Sequence, residues 1–164
     1  MVYAGYGKNK MIKYINNCFL LFIPILLFNI LFFKKLPPHY LKNISHPIII
    51  METITRIIVI AFSMIMAINI QNNQEKIGLI IYIIGVIIYF TSYFIEIYAT
   101  NTLFGRNIIF ILAPYWTSII WLIGIGLVGN RLFINIPYHF SVYLILSVIF
   151  TTIHTIHGYL CYKT

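Results

Sequence analysis

The chain has 164 residues, 61% of them hydrophobic and only 9% charged, with a mean hydropathy of +0.93 and a formal net charge of +8. That composition excludes a soluble globular domain, which needs a charged shell this chain has no material to build. It also argues against a nucleic-acid partner, because most of the cations stand at the ends of apolar runs, where they meet lipid headgroups.

Five apolar runs follow one another: Ile15 to Phe33, Ile48 to Ile70, Ile77 to Ala99, Ile108 to Gly129 and Tyr138 to Tyr162. Each is long enough to cross about 30 Å of hydrocarbon as a helix. The runs are rich in Ile, but they lack the polar–apolar alternation of barrel strands, and helices are the other way to satisfy a backbone in lipid. The prediction is an all-α integral membrane bundle of five transmembrane helices with short connectors, a single multi-pass domain over residues 1–164.

The first run follows Lys8, Lys10 and Lys13, the layout of a signal peptide. No small-residue cleavage site follows it, and Lys34-Lys35-Leu36-Pro37-Pro38 does, so an uncleaved anchor helix is expected. Pro24 lies within it, without polar company. Cys18 and Cys161 flank apolar runs and fit no metal spacing; they read as small buried hydrophobes.

The second run carries Glu52 and Arg56 one helical turn apart. Ionised groups are costly in hydrocarbon, so this pair marks either a site or a packing lock. A central Arg costs about 3 kcal/mol to insert and each Ile or Phe returns about 0.5 kcal/mol, so a helix this apolar still inserts. The third run ends near Glu96. Arg106 precedes the fourth, whose first half holds Pro114, Tyr115, Trp116 and Thr117; a proline there breaks the helix and frees a carbonyl. Gly124, Gly126 and Gly129 follow, lack the Lys-Ser or Lys-Thr of a phosphate loop, and read as close helix packing. The fifth run carries His154 and His157 on one face.

An odd number of passes gathers these groups. The second and fourth runs begin, and the first, third and fifth end, on one side, so Glu52, Arg56, Glu96, Arg106, Tyr115, Trp116, His154 and His157 fall in one leaflet half. Lys34, His39 and His46 of the first connector join them there. These eight residues are the candidate binding set. No catalytic residue, metal set or cofactor is assigned: Asp is absent, there is no Gly-x-Ser-x-Gly elbow, and no His-Glu-x-x-His pattern supplies a third ligand.

Three functions are compatible with that layout. The first is a non-enzymatic membrane protein whose one-sided polar pocket binds a lipid, a small amphiphile or a protein partner. The second is a proton- or ion-coupled transporter, which with five helices needs a homo-oligomer. The third is an intramembrane enzyme on a lipid headgroup, with His154 or His157 as base. The expected partners are membrane lipids and a second copy or another membrane protein, and the expected location is the plasma membrane. Orientation rests on the first helix alone, giving a cytoplasmic N-terminus, because the connectors divide their cations evenly.

Overall fold

A computed structural model describes residues 16–35, 46–99, 102, 107–134 and 136–163. The chain is mostly helical, at 81%. The elements are α1 (Ile23–Phe32), flanked by 3-10 turns Cys18–Phe22 and Phe33–Lys35, then α2 (His46–Ile65), β1 (Met66–Ala67), α3 (Asn73–Tyr98), α4 (Ile108–Ile111), α5 (Ala113–Trp116), α6 (Ser118–Val128), β2 (Arg131–Leu132) and α7 (Ser141–Lys163). Lys8, Lys10, Lys13, His39, Lys42 and Arg106 lie outside the described residues.

Three helices, α2, α3 and α7, are long and apolar enough to cross a membrane. The first and fourth expected spans come out shorter, as Cys18–Phe32 and Ala113–Val128. The fourth is interrupted at Leu112 and Thr117, on either side of Pro114, which occupies the start of α5 where its missing N–H costs nothing. Hydroxyls close the breaks: Thr117 Oγ1 donates to Ala113 O at 2.6 Å and Ser118 Oγ to Tyr115 O at 2.6 Å.

The second expected helix stops at Ile65 rather than Ile70, because Met66–Ala67 pairs antiparallel with Arg131–Leu132. Asn17 bridges to Ala67, and Ile68 N donates to Asn16 O at 2.9 Å. This knot ties the start of the first helical pass, the end of α2 and the start of the last connector at one end of the molecule, the far end. The third helix starts at Asn73, four residues earlier than expected, because Asn72 and Glu75 form a capping box. Glu75 Oε2 accepts from Gln71 N at 2.7 Å and Asn72 N at 2.9 Å.

The side-chain pattern is inverted relative to a water-soluble bundle. All three acidic residues, Glu52, Glu75 and Glu96, are buried, with Ser63, Ser92, Thr117, Ser118, Ser147 and Thr151. Outside lie Ile50, Ile54, Ile57, Ile80, Ile84, Ile87, Ile145 and Ile149 among many others. An aqueous surface does not carry so continuous an apolar cover; an apolar solvent does.

The inward face of α3 is one stripe: Glu75, Gly78, Tyr82, Gly85, Tyr89, Ser92 and Glu96, spaced alternately three and four residues. That spacing keeps one seam turned toward a partner helix. The partner is α6, on which α3 packs most extensively. Gly85 lets α3 approach the Trp121 backbone, where an added Cβ would meet Trp121 N at 2.5 Å, and Gly124 lies as close against the Tyr82 backbone. The glycines expected to serve close packing do so here, including Gly129 against Met66 and Cys18.

Aromatics hold α1 to the bundle. Phe28 stacks on Phe90 at 4.0 Å between ring centroids, and Phe22 meets Trp121 edge-on at 5.3 Å. Two tyrosines add polar ties: Tyr82 donates to Leu21 O at 2.7 Å, and Tyr89 to Asn29 Oδ1 at 3.0 Å. Cys18 and Cys161 are buried and not joined in a disulfide. Glu52 is hydrogen-bonded to His157, and Lys35 donates to Tyr98, at the end away from the β pair, the near end.

Candidate functional site

Two helices build the polar centre. The buried residues of α2 are Glu52, Val59 and Ser63, one stripe at helical spacing, so Glu52 points inward with them. The facing stripe on α7 runs through Tyr143, Ser147, Phe150, Thr151 and Gly158, which carries His154 and His157 to the same level.

Glu52 is the hub. Its Oε1 accepts from Arg56 Nη2 and from His154 Nδ1, the latter at 3.0 Å, while Oε2 accepts from His157 Nδ1. Three donors on one buried carboxylate offset much of the cost of placing it away from water. Accepting at both Nδ1 atoms fixes the tautomers: the hydrogen lies on Nδ1, and Nε2 is left facing away from Glu52. Neither Nε2 has a hydrogen-bond partner among the described residues, and neither is sealed from its surroundings. The His154 ring stacks on Phe150 at 5.3 Å and tilts against Tyr115 at 4.7 Å, so packing holds its plane.

These groups close one end of a cavity of about 370 Å³. Its polar wall is Glu52, Arg56, His154, His157 and Tyr115 at the near end, with Asn29, Tyr89, Tyr93 and Ser118 beside them. Toward the middle of the bundle the wall becomes Phe22, Ile25, Leu26, Val59, Ile60, Trp121 and Phe150. Two lining residues are also well exposed: Ile30 of α1 at 73%, and the Arg56 side chain of α2 at 49%. The cavity therefore opens sideways between α1 and α2. Those helical passes are joined at the far end by the Asn16–Ile68 and Asn17–Ala67 contacts.

Of the eight residues singled out in the sequence, five meet here: Glu52, Arg56, Tyr115, His154 and His157. Glu96 is fully buried late in α3 but does not line the cavity. Trp116 points out of it, its indole N–H donating to Ile109 O at 3.2 Å. Arg106 lies outside the described residues. Sequence reasoning passed over Asn29, Tyr89, Tyr93, Ser118 and Trp121. A signal for Tyr89 was present in the three-and-four spacing of small and polar residues through the Ile-rich third helix. Among the described residues, no group of three or more His, Cys, Asp or Glu could hold a metal ion. Comparison with protein-family models, curated proteins and solved structures gives no match.

Proposed function

We propose that this chain is an integral plasma-membrane protein of five crossings that holds a lipid or small amphiphile in a one-sided intramembrane pocket, without converting it. The observation that carries the reading is the gradient along one cavity. A charged, hydrogen-bonded wall lies at the near end and an apolar wall at mid-bundle, which is the order of a lipid's own head and tail in one leaflet. The sideways opening between α1 and α2 gives onto the Ile-covered surface, the side from which a membrane-dissolved ligand arrives. A volume of about 370 Å³ is within the range of small-molecule pockets. Ser118, the serine of the cavity lining, gives its hydrogen to the Tyr115 carbonyl, which favours holding over nucleophilic chemistry. The short first and fourth passes are accommodated by local thinning of the bilayer.

The test is native mass spectrometry of the protein released from nanodiscs made from its own membranes. The expected result is one retained lipid or amphiphile per chain, lost when Ile25→Trp fills the apolar wall. A bare chain, or an adduct indifferent to Ile25→Trp, would overturn the reading.

A further inference from the structure

Resting on the pocket reading above, we infer that the ligand is a single-chain amphiphile with an anionic head, gripped by Arg56.

Three observations select that class. The first is which groups keep unused hydrogen-bonding capacity. The Glu52 carboxylate is engaged by three donors and offers little to a cationic head. Arg56 spends only Nη2 on Glu52; its Nε and Nη1 have no partner among the described residues. A guanidinium retains its charge in any surroundings and presents its donors as a planar fork, suited to a carboxylate or a phosphate. With its hydrogen on Nδ1, each imidazole offers only an acceptor at Nε2, so the anionic oxygens fall to Arg56.

The second observation is size. The cavity has room for about a dozen groups the size of a water molecule, hence of a methylene. One alkyl chain of that length fits; the two chains of an ordinary phospholipid do not. The third is position. Arg56 stands at the sideways mouth, where its half-exposed guanidinium meets a head sliding in from the leaflet, while Val59, Ile60 and Trp121 receive the tail behind it.

The experiment uses the full chain with Trp116→Phe in phosphatidylcholine nanodiscs, so that Trp121, inside the cavity, is the remaining tryptophan. Quenching is read with four chain-brominated twelve-carbon ligands: dodecanoate, dodecyl phosphate, dodecanol and dodecylamine. Dodecanoate or dodecyl phosphate is expected to bind about ten-fold tighter than the alcohol or the amine, the worth of one good charge-assisted contact. Tighter dodecanoate assigns a free fatty acid and tighter dodecyl phosphate a phosphorylated single-chain lipid; both support the inference. Arg56→Gln is expected to erase the preference and Arg56→Lys to keep most of it. Equal binding of all four, or preference for the amine, overturns the anionic head and leaves the pocket reading standing. Binding of none overturns both. Should Arg56→Gln fail to fold, the wild-type ligand series decides alone.

Discussion

The carboxylate of Glu52 and the imidazole of His157 are hydrogen-bonded across the α2–α7 interface although 105 positions separate them in the chain. With His154 on the other oxygen, Glu52 has three partners where the i,i+4 spacing alone indicated one. The lock between two helices and the polar wall of the cavity are thus the same set of atoms.

Removing Arg56 is therefore expected to be milder than removing Glu52. The Arg56 side chain is half exposed and Glu52 retains two imidazoles, so Arg56→Leu should cost about 1 kcal/mol, or about 3 °C of melting temperature in a chain of this length. Glu52→Leu strands three donors at once and should cost about 3 kcal/mol. The pair Glu52→Gln with Arg56→Leu should cost less than the two changes added together, since both act on one network. Thermal melts in a single detergent decide this. Equal losses for Arg56→Leu and Glu52→Leu would remove Glu52 from its place as hub.

The α3–α6 seam tolerates no added methyl at its tightest points. Gly85→Ala and Gly124→Ala push against backbone, at Trp121 and Tyr82 respectively, and each should destabilise by about 2 kcal/mol or more. At Gly126 the nearest atoms to an added Cβ are side-chain carbons, of Tyr143 at 3.0 Å and Leu144 at 3.1 Å. Gly126→Ala should thus be nearer neutral. Comparable folded yields and melts for all three variants would show the seam to be looser than described.

At the far end, Glu75 is a structural acid. Glu75→Ala leaves the Gln71 and Asn72 amides without their acceptor and should cost about 2 kcal/mol. It should leave the tryptophan-quenching ligand series unchanged, because Glu75 is remote from the cavity wall. A shift in ligand preference in Glu75→Ala would mean that the two ends are coupled.

The number of passes is checked with thiols. Cys18 and Cys161 are both buried, so the wild-type protein in sealed vesicles should resist an impermeant maleimide until it unfolds. Against that silent background, Cys introduced at Asn16, Gln71 or Arg131 should label from one side only, and at Lys35, Thr102 or Lys163 from the other. Any departure from that alternation sinks the five-crossing reading.

Part of the fold was legible in the sequence. Three of the Ile-rich runs fall on helices long and apolar enough to cross a membrane, and the first and fourth fall on shorter apolar helices, Cys18–Phe32 and Ala113–Val128. The errors lie at helix ends. Ile65 ends α2 because residues 131–132, distant in sequence, pair with 66–67, whereas the start of α3 is set locally by the Asn72–Glu75 capping box and that of α7 by His139 against Ser141. The small-and-polar stripe of α3 and the glycines facing it were written in the primary structure, as was the placement of Glu52, His154 and His157 in one layer.

Rotation about each helix axis was not. Periodicity assigns a residue to a face, but which face meets which neighbour depends on packing among five elements at once. Glu96 and Glu52 are both buried, yet only Glu52 lines the cavity. Trp116 is exposed and Trp121 buried, and five residues of helix already turn them to nearly opposite faces, but only the packing shows which of the two faces inward. The sequence by itself determined that the chain is mostly helical and apolar, with three helices long enough to cross a membrane. The tertiary structure alone decided that residues 16–17 and 67–68 tie the first two passes together at one end and that Arg56 stands half exposed on the cavity wall, because both depend on partners far apart in the chain.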